Sequence, residues 1–441
     1  MKRNQFSAAA ARMLAVVTVM LVVTLMLAPG AWGQSTFKTL YKFKGDNDGG
    51  YPTAGVILDQ AGNLYGTTFY GGRRDHRHCG AVIYQTWYFG CGVVFELIPS
   101  QDGSWKESVL YHFCDAGVEI GMDGVRPVGG LTFDQAGNLY GTTVNGGHNV
   151  GTLFELTQNG EGSWDRQLFG FTKHGQHGAY PYADLILDQA GNLYGTTSQG
   201  GTGSFGQCPG GYPYGCGTVF KVTPNSDGTW TESVLHKFTG GDGANLVAGL
   251  VFDQAGNLYG ATAAGGQNGY GVIFKLAPHP NGTWEEIVLH TFAGDDGNAL
   301  AGTLVFDQAG NLYGTTTAGG QYGYGVAFRL APNSDGSWTE NVLYHFTGGK
   351  DGANPYAGLI FDASGNLYGT TLNGGAYGYG VVFRLMAGSD GAWKEHVLHA
   401  FADVTEAHPQ GGLIFDPAGN LYGTTTGDGI TGFGSVYEIT P

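Results

Sequence analysis

Leu359-Ile360-Phe361-Asp362-Ala363-Ser364-Gly365-Asn366-Leu367-Tyr368-Gly369-Thr370-Thr371 is the stretch that decides the fold. An unbroken apolar triplet reads as a short strand covered on both faces. Asp362 to Asn366 reads as a turn, because Asp bonds the backbone ahead of it and Gly accepts positive φ. Leu367 begins a second strand. Downstream, the Gly-rich run Asn373-Gly374-Gly375-Ala376-Tyr377-Gly378 is a loop, and Val381-Val382-Phe383-Arg384-Leu385 is a third strand. Ser389-Asp390-Gly391 is a hairpin signal. It leads into a fourth strand, where alternation predicts Trp393, Glu395, Val397, His399 and Phe401 on one face.

The same sentence is written seven times. Its aspartates are Asp59, Asp134, Asp188, Asp253, Asp307, Asp362 and Asp416, spaced 75, 54, 65, 54, 55 and 54 residues apart. A period of this length means one supersecondary unit copied in tandem. Four antiparallel strands cannot cover both faces of their own sheet, so the copies must stack. An open solenoid would need distinctive capping repeats, and none is visible. A ring needs none. The last copy supports the ring, for it stops at Pro441 without a fourth strand. The missing piece stands at the other end, where Phe37-Lys38-Thr39-Leu40-Tyr41-Lys42-Phe43 matches Leu110-Tyr111-His112-Phe113 and Leu343-Tyr344-His345-Phe346. The expected fold is therefore all-β, a seven-bladed β-propeller over 36–441. Each blade has four antiparallel strands, and the N-terminal strand completes the last one.

Residues 1–33 read as a secretory signal peptide. Lys2, Arg3 and Arg12 precede an apolar run over 13–28, and Ala31-Trp32-Gly33 offers small residues before Gln34. The run is short for a membrane anchor, the alternative reading. No membrane span is expected after cleavage, and no anchor is expected at the C-terminal end. The expected address is secreted or periplasmic. Removing the leader takes three basic residues and moves the net charge from −16 to −19. Long-range repulsion then argues against nucleic acid as a partner.

Five cysteines fit export. Proximity in sequence pairs Cys79 with Cys91 and Cys208 with Cys216. Cys114 is left as a buried thiol or as a competitor for one of those partners.

Strand order puts the Asp turns and the Asp-Gly hairpins on one face of the ring. The long inter-blade connections and the Gly-rich loops share the other, where recognition usually sits. Two insertions belong to this long-loop face. The first brings Trp87, Tyr88 and Phe89, and the second brings Phe205, Tyr212 and Tyr214. Aromatics on such loops suit sugar rings or a protein partner. They equally suit packing of the insertion onto the rim. The seven turn aspartates sit one per blade and cannot converge on one ion. A second set, Asp48, Asp123, Asp242, Asp296 and Asp351, precedes Gly in the connections. As a ring at the channel mouth they would form a funnel for a cation such as calcium. The alternative is Asp-Gly turn chemistry. No other cofactor is expected. His76-Arg77-His78-Cys79 offers only one arm of a zinc site. His236, His290 and His399 stand where Tyr41, Tyr111 and Tyr344 stand in other copies, which indicates packing. No Gly-x-Ser-x-Gly, Walker loop or His-Glu-x-x-His occurs, and no catalytic residue is assigned.

Asp-x-x-Gly-Asn-Leu-Tyr-Gly-Thr-Thr, then Gly-Gly and Gly-x-Val-Phe-x-Leu-x-Pro, resembles the GloVer (Gloeo/Verruco) tandem repeat of secreted bacterial proteins. The clearest copies lie at 307–332 and 362–385. The resemblance covers nearly everything after the leader and implies export without an established activity. The expected function is a secreted, non-enzymatic binding or scaffold protein that recognises carbohydrate or an envelope protein. The alternative is a hydrolase or lyase acting on a polysaccharide or lactone, and a purely structural matrix role is a third.

Overall fold

The computed structural model describes residues 35–72, 90–114, 122–160, 162–171, 177–201, 208 and 215–441. The leader, Cys79, Trp87, Tyr88, Phe89, Phe205, Tyr212 and Tyr214 lie outside the described residues. Within them no helix is long and apolar enough to cross a membrane.

Seven four-stranded antiparallel sheets surround one axis. Blade 1 comprises β2 (Ile57–Leu58), β3 (Leu64–Thr68), β4 (Val93–Pro99) and β5 (Trp105–His112), paired in that order. Blades 2 to 6 repeat the pattern. Blade 7 contains β26 (Ile414–Phe415), β27 (Leu421–Thr425) and β28 (Ser435–Thr440), and is completed by β1 (Thr36–Lys42). The closing register runs from Thr36 opposite Thr440 to Lys42 opposite Ser435. This is the seven-fold ring that the displaced fourth strand predicts.

Every blade face is buried against a neighbour, and seven apolar clusters fill the seams. A Phe from the third strand (Phe95, Phe154, Phe220, Phe274, Phe328, Phe383) is fully buried in six of them. Opposite it stands the glycine of Leu-Tyr-Gly. A Cβ on Gly369 would lie 2.6 Å from Phe383 Cζ, so the ring occupies the space the glycine leaves empty. In blade 7, Tyr437 takes the place of that Phe.

The fourth strand corrects one expectation. In blade 6 the register steps between Val382 and Phe383, which makes Leu398 an extra residue. Trp393 and Val397 pack into the core shared with blade 5, whereas Phe401 packs into the core shared with blade 7. The bulge, by adding one residue, sends the two ends of the strand to opposite seams.

The disulfides give a second correction. Cys91 bonds Cys114 rather than Cys79, and Cys208 bonds Cys216. Cys91 stands just before β4 and Cys114 just after β5. Val93 pairs with His112, so the ladder brings the two Cα atoms to 5.9 Å. Strand register, not nearness in sequence, chooses the partner. The bridge closes a 23-residue separation, worth about 3 kcal/mol by chain entropy. Cys114→Ser is expected to lower the melting temperature by about 4 °C for a ring of this size. An unchanged melt would mean that Cys91 has found Cys79 instead.

Candidate functional site

The segments just before the innermost strands line the axis. Thr53-Ala54-Gly55, Tyr182-Ala183-Asp184 and their equivalents from the other blades enclose a channel of about 320 Å³. Its wall is stitched between blades by the first Thr of the Gly-Thr-Thr motif. Thr67 donates to the Gly129 carbonyl at 3.1 Å, Thr196 to Ala248 at 3.0 Å, and Thr424 to Ala54 at 2.7 Å. Blade 4 has Ala261 at this position. There Thr303, in the channel wall, accepts from Gly249 N–H at 3.1 Å. Asp184 makes the equivalent link, accepting from Gly130 N–H. It is the one carboxylate among the described channel-lining residues. Its side chain is open to the lumen although it lies deep in the ring. We therefore attribute its raised pKa to enclosure in a narrow shaft rather than in dry core.

The seven turn aspartates are fully used by the scaffold. Asp307 Oδ1 accepts from Ala309 and Asn311 N–H, and Oδ2 from Asn311 Nδ2 at 2.7 Å and the Tyr313 hydroxyl at 3.1 Å. The same set recurs at every copy. At Asp188, Asp253, Asp307, Asp362 and Asp416, burial opposes ionisation but the hydrogen bonds prevail and depress the pKa.

The second aspartate set does not ring the channel mouth. Each member is held against the outermost strand of a blade, at the start of the connection. Asp48, Asp123 and Asp351 accept from the hydroxyls of Tyr41, Tyr111 and Tyr344 at 3.0, 3.0 and 3.1 Å. Asp242 and Asp296 meet Nε2 of His236 and His290 at 3.0 and 2.9 Å. Tyr and His exchange here because the position needs a flat ring that carries a hydrogen-bonding atom at its tip. His399 has a different use and stacks on Phe37 of the closing strand at 3.8 Å.

Across the seam, these aspartates face a residue two places after the Trp of the next outer strand. In blades 1, 4, 5 and 6 it is Glu107, Glu286, Glu340 and Glu395. Burial first, and the facing aspartate with it, lift these carboxyls to about 7, 7, 7 and 8 respectively; His236 works the other way on Glu286, as Lys44 does on Glu107. Other seams set a basic side chain beside the acid. Arg166 replaces the Glu in blade 2 and lies 3.5 Å from Asp123. His177 meets Glu232 at 3.1 Å, and Lys42 meets Glu406 at 2.7 Å.

The long-loop face carries exposed rings that the sequence reading passed over. Between second and third strands, the loops of blades 4, 5 and 6 present Tyr270, Tyr322, Tyr324 and Tyr377, with Tyr377 62% and Tyr322 50% exposed. Blade 7 adds Ile430 at 68%. The loops are closed by their own backbone. Gly325 N–H donates to Gly319 at 3.1 Å, Gly380 N–H to Gly374 at 2.9 Å, and Tyr324 and Tyr379 form bridges with Gly319 and Gly374. The Tyr324 ring rests on Gly348, where a Cβ would come within 2.6 Å. The repeated Gly-Gly-x-x-Gly-Tyr-Gly spacing at 265–271, 319–325 and 374–380 was the available signal, since a Tyr set among glycines has little of its own chain to pack against. The inter-blade connections bridge to these loops (Asn298 with Ala318, Ala353 with Asn373), which places both on one face.

No curated protein matches the chain. Solved structures to which the chain is similar have low identity to it. A putative 6-phosphogluconolactonase from Bacteroides uniformis is 13% identical, with a TM-score of 0.49 over 86% of this chain and 99% of its own. A glucose dehydrogenase is 13% identical, with a TM-score of 0.40 over 92% and 99%. A luciferin-regenerating enzyme is 11% identical, with a TM-score of 0.39 over 92% and 95%. The profile of the Gloeobacter/Verrucomicrobia repeat matches residues 30–208 and 205–437. Spanning both halves of the ring, it places this chain in the Gloeobacter/Verrucomicrobia repeat family.

Proposed function

We propose that the chain is an exported, non-enzymatic propeller that binds carbohydrate through its long-loop face. The observation that carries this reading is the run of solvent-facing tyrosines on backbone-locked loops of adjacent blades. An exposed ring stacks on the apolar face of a pyranose, and a loop already fixed loses little entropy on binding. The acids support the non-enzymatic half of the proposal. Turn and corner aspartates recur with the repeat and hold the scaffold, and among the described channel-lining residues Asp184 has no second acid or histidine beside it.

The test is a glycan array probed with the wild-type protein and with a Tyr322→Ala/Tyr377→Ala double variant. The expected result is selective binding that falls at least about 10-fold in the variant, in line with the loss of two stacking contacts. Its melting temperature should stay within about 1 °C, because exposed side chains contribute little to stability. Absence of glycan binding, with capture of an envelope protein that the double variant loses, would move the same face to a protein partner. Equal binding by both proteins would remove the tyrosines from the site.

A further inference from the structure

We propose that His236, Asp242 and Glu286 form a divalent-cation site, of the ligand chemistry that zinc takes, across the seam between blades 3 and 4. Their ligating atoms all lie within 4.8 Å of one another, the one such group of three among the described residues. An imidazole with two carboxylates is a donor set for zinc, and three protein ligands leave a position for water.

Three observations point to a cation rather than to a bare acid cluster. Glu286 Oε1 is buried and has no hydrogen-bond partner, as is true of the equivalent oxygens of Glu107, Glu340 and Glu395; among the described residues, only here do a histidine and an aspartate close on the same carboxylate within 4.8 Å. Asp242 is already oriented from behind. Its Oδ1 accepts from the Thr239 N–H at 2.8 Å and from the Thr239 hydroxyl at 2.9 Å, leaving Oδ2 toward His236. Supports of this kind fix a metal ligand before the ion arrives. Finally, the chain fills equivalent seams with cations of its own, Arg166 beside Asp123 and Lys42 beside Glu406. The seam of blades 3 and 4, like those of blades 4–5 and 5–6, has the acids and no such side chain among the described residues, and of these it alone gathers a histidine nitrogen and both carboxylates within 4.8 Å.

The fold explains how the three residues meet. His236 lies at the far end of β13 (Trp230–Lys237), and Glu286 near the start of β17 (Trp284–Thr291). The register of β13 steps between the partners Val219 and Phe220, which makes Leu235 the extra residue and turns His236 toward blade 4. Glu286 precedes the corresponding step in β17 and faces back toward blade 3. The His236 ring is held edge-on by Phe238, with centroids 4.6 Å apart. An ion here would tie the outermost strands of two blades at their rim, as a clasp and not as a catalyst.

The experiment uses the purified chain, stripped with chelator and titrated with zinc chloride. Zinc content after dialysis and the cobalt(II) absorption spectrum are the readouts. The expected result is a bound ion at micromolar zinc and a cobalt spectrum of low-coordinate nitrogen–oxygen ligation. Glu286→Gln and His236→Tyr should each weaken binding at least 10-fold, while Glu340→Gln in the next seam leaves it unchanged. His236→Tyr is chosen because Tyr111 and Tyr344 stand at the same position in folded blades, so loss of binding is separable from loss of fold. Failure of the stripped wild type to take up zinc would overturn the proposal. So would zinc retained undiminished by His236→Tyr, which would place the ion elsewhere.

Discussion

Deleting residues 36–43, β1 with the Phe43 that follows it, is expected to abolish cooperative folding. The segment contributes Phe37, Leu40 and Phe43 to the cores on either side of blade 7, with Leu40 and Phe43 buried. Phe37 also stacks on His399 and meets Phe401 and Tyr437 edge-on or tilted. At about 1.5–3 kcal/mol for each apolar side chain, the loss is comparable to the about 5–15 kcal/mol that usually separates folded from unfolded chains. The deletion also strips the backbone partner of β28 and leaves an open sheet edge, a template for aggregation. Size-exclusion chromatography and a circular-dichroism melt check this. A monomeric variant with a wild-type transition would mean that the ring does not depend on its closing strand. Leu40→Ala, a milder probe of the same contact, should cost about 2–5 kcal/mol.

Stability should peak near pH 5 and fall toward pH 8. Glu107, Glu286, Glu340 and Glu395 have folded pKa values of about 7, 7, 7 and 8, raised from 4.5. A group whose pKa rises on folding holds its proton more tightly in the native state. Its contribution is complete below the unfolded value and is lost as pH rises through the folded one. The window is therefore about pH 4.5 to 8. Five of the turn aspartates, Asp188, Asp253, Asp307, Asp362 and Asp416, act in the opposite sense. Their depressed values stabilise the fold above the unfolded aspartate pKa of 3.8 and lose that effect in acid. Each half-buried glutamate contributes about 1 kcal/mol once solvent screening is allowed for. Four together shift the melting temperature by about 5 °C for a chain of this length. Melts from pH 4 to 9, in chelator, provide the measurement. Changing all four glutamates to Gln should flatten the alkaline limb and raise the pH 8 melting temperature. A flat wild-type profile, or a maximum at pH 8, would show that the seams remain ionised without cost.

The two effects share a cause. A propeller blade is stable only in its neighbours' company, so the strength of the ring lies in its seams. Apolar side chains make the seams close, and the acids at their outer ends set the conditions under which they stay closed. Arg166 shows that one substitution in this register can neutralise a seam outright.

Much of the architecture was legible in one dimension because it is local and repeated. Asp-x-x-Gly-Asn fixes its turn through bonds within seven residues, as from Asp59 to Asn63 and Tyr65. The displaced strand 37–43 declared ring closure by itself. Wherever a long-range register intervened, the sequence misled. The pairing of Cys91 with Cys114 depends on β4 lying against β5. The opposite facing of Glu395 and His399 depends on one extra residue at Leu398. Asp48, Asp123, Asp242, Asp296 and Asp351 share an Asp-Gly signature that reads as well at a channel mouth as at a blade corner. Only their bonds to Tyr41, Tyr111, His236, His290 and Tyr344 distinguish the two. By itself the sequence determined the number of blades, the turn chemistry and the closing strand, since backbone preferences and hydrophobic period act over a few residues. Tertiary structure alone decided which carboxylates face one another and which tyrosines face water. Those outcomes depend on how two blades are set side by side, and no short stretch of either one encodes that.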